Sequence, residues 1–295
     1  MSRIKTVSFI GLGQMGRPMA KNLQAAGFKV VGYDASEGAR LEASKSGLTV
    51  SESLEDAIRD SDCIVTMLPN GSIVQDVLVT NDRFLSANKG ALLLEMSSSA
   101  PLQTRELSEI VGAHLRVVDA PVSGGVKRAV EGTLTVMAGG SDEDIEFSKS
   151  VLGAISSKVF SCGAVGAGHA MKSINNYVSG AGVVAASEAV RLGTGFGLEA
   201  ETIVDVLNAS SGKNNATEVK MKQFILNETF ASGFALGLMS KDIGIAADLA
   251  KSLNLNLKNL EETDLMWKQA SKEVGGAADH TRMFEFVTTS SDSKN

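Results

Sequence analysis

Cysteine, proline and aromatic residues are all scarce in this chain. Of 295 residues, two are cysteine and four are proline, and aromatics make up 5%. Cys63 and Cys162 sit among apolar or small neighbours, in Asp62-Cys-Ile-Val65 and Phe160-Ser-Cys-Gly163. Two cysteines so placed support neither a disulfide framework nor a metal site, and they read as two buried free thiols. No apolar stretch reaches the roughly 18 residues of a membrane-spanning helix, so no membrane partner is expected. Basic surface is missing too. Lys and Arg number 28 against 34 Asp and Glu, for a formal net charge of −6. Nucleic-acid binders show a basic face, and no Lys/Arg cluster of that kind is present. The opening Met-Ser-Arg-Ile-Lys runs straight towards a strand, without an apolar signal region or an Arg-rich amphipathic presequence. That reads as a cytoplasmic protein.

What is present is apolar residue and glycine. Hydrophobic residues make up 43% of the chain, and 30 residues are glycine. This is enough to bury large cores, and it argues against disorder. The length suits two domains.

The first half alternates between two periods. Thr6-Val-Ser-Phe-Ile10, Lys29-Val-Val-Gly-Tyr33 and the runs 63–68, 91–95 and 115–119 read as strands. Residues 16–26, 39–46 and 102–112 carry helical spacing. Turn signals stand at Pro69-Asn-Gly71 and Asn88-Lys-Gly90. Near-continuous apolar strands separated by helices indicate a parallel, doubly wound sheet. After a further strand at 132–140 the rhythm is lost. A long Ala-rich helix is predicted over 170–193, where Gly180 and Gly182 suggest close packing against a neighbour. Helices follow at 199–210, 217–227, 240–253 and 260–275. The expected organisation is therefore an α/β domain over 1–163 and an all-α domain over 164–295, ending in the polar run Thr288-Thr-Ser-Ser-Asp-Ser-Lys-Asn295.

Gly11, Leu12, Gly13, Gln14, Met15 and Gly16 form a G-x-G-x-x-G between the first strand and the first helix. In that position the first glycine permits a tight turn. The second lets backbone approach a pyrophosphate, and the third lets helix and strand pack closely. The helix N-terminus adds free N–H groups for phosphate. Asp34 ends the second strand, about 20 residues on, where an acid accepts hydrogen bonds from ribose hydroxyls and repels a 2′-phosphate. The next residue is Ala35, not an arginine, which favours NAD over NADP. The same Asp34 also reads as the start of a turn or a helix cap. Leu68, Pro69 and Asn70, and the serines around Ser98, follow other strands. Such strand ends are either cofactor contacts or ordinary turns.

Three later segments offer chemistry. Ser123, Gly124 and Gly125 form either a nest of N–H groups for a carboxylate or a simple glycine turn. Lys172 and Asn176 share one face of the long helix. The apolar Met171, Ile174, Tyr177 and Val178 around them suggest burial, where a lysine is costly without a task or partner. The alternative is a lysine snorkelling to solvent. His169 lies within helical reach of Lys172, so spacing leaves it open as a catalytic base, a helix-start residue or a cofactor-lining residue. Lys241 opens a later segment with Asp242 and Asp248, and is either a ligand contact or a surface residue.

Taken together, these motifs resemble the β-hydroxyacid dehydrogenase family, which includes 3-hydroxyisobutyrate dehydrogenases and tartronate semialdehyde reductases. The resemblance is carried in order by the Gly11–Gly16 turn, by Asp119-Ala-Pro-Val-Ser-Gly-Gly125, by Gly166-Ala-Gly-His-Ala-Met-Lys-Ser-Ile-Asn-Asn176 and by Lys241-Asp-Ile-Gly-Ile-Ala-Ala-Asp248. It implies a Rossmann domain followed by an all-α domain. It also implies hydride transfer between NAD(H) and a small hydroxy acid, and assembly as a homodimer or homotetramer. Ser123, Gly124 and Gly125 would hold the substrate carboxylate, with Asn176 orienting the substrate and Lys172 moving the proton. Ser98 and Lys241 would touch the cofactor. The resemblance favours a helix-start or cofactor-lining role for His169. A non-catalytic dinucleotide-binding module and an imine reductase share the architecture. Lys172 separates both from a dehydrogenase.

Overall fold

The computed structural model describes residues 4–79 and 90–289. The expected turn residues Asn88 and Lys89, and the polar tail beyond Thr289, lie outside the described residues. The chain divides into two compact units, Met1–Lys172 and Ser173–Asn295.

The first unit is built on a nine-stranded sheet. The strands are β1 (Thr6–Ile10), β2 (Lys29–Tyr33), β3 (Thr49–Val50), β4 (Cys63–Thr66), β5 (Leu92–Glu95), β6 (Arg116–Asp119), β7 (Val122–Ser123), β8 (Leu134–Gly139) and β9 (Ser156–Gly163). They are ordered β3-β2-β1-β4-β5-β6-β8-β7, with β9 on β8. From β3 through β6 every pairing is parallel. Beyond β6, strand β8 runs antiparallel to β6 and β7. The order reverses between β1 and β4, so their carboxyl ends flank a topological switch point, where ligands bind in such sheets.

Strand residues alternate between two cores. Phe9, Val65 and Leu94 join Met19, Leu23 and Leu152 on one face. Ile10, Ile64 and Leu93 join Leu78, Leu107 and Val111 on the other. Helices thus cover both faces, and that is why β4 and β5 are buried at every residue and read as unbroken apolar runs. On these faces lie α1 (Gly16–Ala25), α2 (Glu37–Lys45), α3 (Leu54–Ile58), α4 (Gly71–Val79), α5 (Pro101–Val111), α6 (Gly125–Glu131) and α7 (Asp142–Ile155).

No element is expected from the sequence over 142–163. Helix α7 and strand β9 fill 142–163. Ser141 caps α7, accepting from the Asp144 N–H. The β9 side chains are mostly exposed. Cys162 lies on this strand and is only partly buried, unlike Cys63. Burial, with Asp62 nearby, pushes the Cys63 thiol well above the ordinary cysteine range.

Helix α8 (Ala167–Phe196) begins earlier and ends later than expected and contributes to both units. In the second unit it is followed by α9 (Ala200–Ala209), a π-helical segment (Ala216–Ile225), α10 (Leu236–Ser252), α11 (Lys258–Ala270) and α12 (Met283–Thr289). No strand occurs among the described residues of this unit. Its core gathers Val183, Met239, Ile243, Trp267 and Met283. Close packing at Gly180 is as expected: a Cβ there would lie 2.5 Å from Ile243 Cδ1 and 3.1 Å from Trp267 Nε1. None of the described helices is long and apolar enough to cross a membrane.

Candidate active site

In the first unit, the carboxyl ends of β1, β2, β4 and β5 place the predicted nucleotide residues. Gly11 has φ +99°, and its N–H donates to the Tyr33 carbonyl at 2.8 Å. A side chain at Gly11 would overlap the Met67 carbonyl oxygen, and one at Gly16 would overlap the Gly11 carbonyl oxygen. Both glycines are therefore required by the chain itself. Gly13 is different. It is exposed, and a Cβ there meets no described atom within 4 Å. Met15 precedes α1 without a side-chain cap, so the helix end keeps donors for an anion. Open backbone at Gly13 beside an uncapped helix end fits a dinucleotide pyrophosphate.

Asp34 spans two segments. Its Oδ2 accepts from the Leu12 N–H at 2.7 Å and its Oδ1 from the Ser36 N–H at 2.8 Å. Ser36, not Asp34, caps α2. Each carboxylate oxygen has a further lone pair for a ribose hydroxyl. The sequence looked for an arginine only at position 35. The structure supplies one from α2: Arg40 Nη1 donates to the carbonyls of Asp34 (2.9 Å) and Ala35 (3.3 Å), while Nη2 holds Glu52 at 3.2 Å.

The next loops are mutually braced. The Leu68 N–H donates to Ser97 Oγ at 2.9 Å, and Asn70 Oδ1 accepts from the Ile73 N–H at 3.0 Å, capping α4. Ser97 is fully buried and Ser98 only partly. Pro69 lies between Leu68 and the capping Asn70.

Glu95 and Asp119 are the last residues of β5 and β6; Glu95 was not singled out by sequence, and Asp119 only as the first residue of the 119–125 motif. Both are buried, as is His169 in the first turn of α8. His169 Nε2 lies 2.9 Å from the Ser97 carbonyl and 2.8 Å from Glu95 Oε2. Nδ1 lies 2.9 Å from Thr104 Oγ1 and 3.4 Å from Asp119 Oδ2. Only 1% of His169 is exposed, so it packs inside the unit and does not line a cofactor cleft. Asp119 Oδ1 accepts from the Gly166 N–H at 2.7 Å and Oδ2 from the His169 N–H at 2.8 Å, capping α8.

Ser123 ends β7, paired with Thr135. Gly124 and Gly125 follow with φ +137° and +67°, exposed at the start of α6. Positive φ at both positions is a conformation that residues with a Cβ rarely adopt.

Lys172 lies half-buried on α8. The expectation that this helix is wrapped in apolar contacts is corrected: Met171, Ile174 and Val178 are 39%, 45% and 61% exposed. The covered face instead carries His169, Ser173, Asn176 and Gly180, at helical spacing.

In the second unit Asn176 is held by Asp242 of α10, donating from Nδ2 to Oδ2 at 2.6 Å. Asp242 is buried, and Lys241 Nζ lies 3.6 Å from its other oxygen. Asp242 thus neither caps a helix nor pairs only locally; it links α10 to α8. Asp248 pairs with Lys251 at the surface.

Comparison with known proteins points to one family. Residues 6–163 match the family described as the NAD binding domain of 6-phosphogluconate dehydrogenase. Residues 166–287 match the family described as NAD-binding of NADP-dependent 3-hydroxyisobutyrate dehydrogenase. A 2-(hydroxymethyl)glutarate dehydrogenase from Eubacterium barkeri is 38% identical over 259 residues, covering 87% of this chain and 86% of that protein. An NAD-dependent L-serine dehydrogenase from Pseudomonas aeruginosa is 34% identical over 257 residues, covering 84% of this chain and 86% of that protein. Among solved structures, a 3-hydroxyisobutyrate dehydrogenase from Mycobacterium tuberculosis with L-serine superposes with TM-score 0.89 at 30% identity, covering 96% of this chain and 98% of that one. The chain belongs to the β-hydroxyacid dehydrogenase family.

Proposed function

We propose that this chain is an NAD-dependent dehydrogenase of small 3-hydroxy acids or their semialdehydes, of the 3-hydroxyisobutyrate or tartronate semialdehyde type, with Lys172 moving the proton. The observation that carries the reading is the glycine turn. It is closed by backbone at Gly11 and Gly16 and open at Gly13, beside an uncapped helix end. The names of the relatives narrow the substrate class. 2-(Hydroxymethyl)glutarate, 3-hydroxyisobutyrate and L-serine share one fragment, a hydroxymethyl group on the carbon that bears a carboxylate.

When bound, NAD(H) accepts or supplies the hydride. The residues that hold it in this reading are those of the Gly11–Gly16 turn, Asp34, Leu68, Pro69, Asn70, Ser98 and Lys241. The N–H groups of Ser123, Gly124 and Gly125 hold the carboxylate. Lys172 takes the hydroxyl proton during oxidation and returns it during reduction. Asn176, its carboxamide fixed by Asp242, orients the reacting oxygen. Residues 1–163 are the dinucleotide-binding domain and 164–295 the substrate and assembly domain. The reading extends to a cytoplasmic homodimer or homotetramer. Unpaired cysteines suit a reducing compartment, and exposed Val178, Leu192 and Phe196 on one long helix suit subunit packing.

The test is NADH formation with a panel of 3-hydroxyisobutyrate, L-serine, 2-(hydroxymethyl)glutarate and glycerate. At least one should turn over, and NAD should outperform NADP. Folded protein that binds NADH yet oxidises none of them, and reduces none of their semialdehydes, defeats the reading.

Asp34 sets the second expectation. Asp34→Ala removes an ionised acceptor and its repulsion of a 2′-phosphate, so kcat/KM for NAD should fall by about tenfold or more. Arg40 is already at the Asp34 and Ala35 carbonyls, so NADP use should rise relative to NAD. Kinetic constants with both cofactors check this; an unchanged ratio removes Asp34 from cofactor choice.

A further inference from the structure

Glu95, Asp119 and His169 are buried charged side chains with no role in the chemistry above. Their surroundings favour one state of the imidazole. Nδ1 lies 2.9 Å from Thr104 Oγ1 and 3.4 Å from Asp119 Oδ2. Nε2 faces the Ser97 carbonyl and Glu95. Each ring nitrogen thus has a carboxylate beside it, which favours the imidazolium. Burial disfavours that cation, but Glu95 and then Asp119 outweigh it and hold His169 above the ordinary histidine range. Burial works against the Glu95 carboxylate as well. His169 and Ser97 prevail, and its pKa is lowered. Asp119 is pushed up by burial, with His169 and the N–H groups of Gly166 and His169 pulling the other way.

We propose that His169, clamped between Glu95 and Asp119, is a positioning residue for the hydride-transfer reaction. The clamp locks the first turn of α8, and Lys172 one turn further on, to the ends of β5 and β6. The inference rests on Lys172 being the proton carrier. Its mechanical basis is the tight seat of the helix start. A side chain at Gly168 would overlap the Met137 carbonyl oxygen and come within 2.8 Å of Asp119 Oδ2. Asp119 holds two backbone N–H groups of that turn, and His169 ties the same turn to the Ser97 carbonyl. A helix start so held has one position, and an amine three residues along inherits it. Small misplacement of a reacting group is enough to cost a large share of rate.

Charge counting supplies the test. With both carboxylates ionised and the imidazole protonated, Glu95, His169 and Asp119 together carry one net negative charge. His169→Gln leaves two buried negatives, so its melting temperature should drop. Glu95→Gln with His169→Gln restores one negative, so most of the melting temperature should return. If the clamp positions Lys172, activity does not return with it. The double variant should show kcat about tenfold or more below wild type, with KM for the best panel substrate within about threefold. NADH affinity, read by fluorescence titration, should stay within about threefold too. Wild-type kcat in the refolded double variant overturns the inference, because charge balance alone would then suffice. Should neither variant fold, Thr104→Val removes only the hydroxyl at Nδ1. There, lowered kcat at unchanged KM supports the clamp and wild-type kcat overturns it. Lys172→Ala runs alongside. If it is inactive while the double variant is normal, only this inference fails. If Lys172→Ala turns over normally, the Lys172 reading fails first.

Discussion

Replacing Lys172 by alanine is expected to lower kcat by about 10²–10⁴-fold, the range of a lost general acid–base group, while NADH still binds. The side chain is half-buried, so truncation opens no large core cavity and should cost little stability. The helix that carries it is fixed on both sides, by the Asp119 cap upstream and the Asn176–Asp242 hydrogen bond downstream. Loss of the amine should therefore not disturb its neighbours. Lys172→Arg keeps the charge but holds its proton too tightly to exchange it near neutral pH, and should be nearly as slow. Steady-state rates with the responding panel substrate, alongside NADH fluorescence titration, separate chemistry from binding. An alanine variant with normal kcat would leave the proton to another group.

Much of the first unit is legible because its central strands are buried on both faces. The runs at β1, β2, β4, β5 and β6 stand out as apolar blocks, and the glycines of the first turn punctuate them at the right place. Strand β9 escapes for the opposite reason. Its side chains are mostly exposed, so no apolar pattern marks it. Helix α7 does carry a signal, the Ser141–Asp144 cap followed by apolar residues at helical spacing, which a search for start signals would find. Helix α8 misleads differently. Met171, Ile174 and Val178 are apolar but exposed, while the covered face carries His169, Ser173 and Asn176. Apolarity in a sequence says which residues favour burial, not which face the fold covers. The Glu95–His169–Asp119 cluster is hidden for a topological reason. Its members are the ends of two strands and the first turn of a distant helix, and only the parallel sheet brings them together. Arg40 is similar: it reaches the end of β2 by folding back from α2.

The glycine turn gives the other large effect, and it separates two requirements that one motif conceals. Gly16→Ala should impair both folding and binding. Its Cβ would overlap the Gly11 carbonyl oxygen and sit 3.0 Å from Phe9 Cε1, both in a buried region. Relief requires α1 to move away from β1, at about 1–3 kcal/mol of stability, and that movement opens the phosphate cradle. Gly13→Ala should behave otherwise. The residue is exposed, its φ is not in the positive region, and its Cβ would meet no described atom within 4 Å. The folded chain has no objection to alanine there, so the melting temperature should be unchanged. A pyrophosphate drawn against that backbone would meet the new methyl group directly, and NADH affinity should fall by about tenfold or more, the scale of one lost close contact in a binding site. Thermal melting and NADH titration on the two variants measure both quantities. If Gly13→Ala binds NADH as tightly as wild type, no phosphate passes over position 13. The turn would then be a strand-to-helix connection whose glycines serve the fold alone.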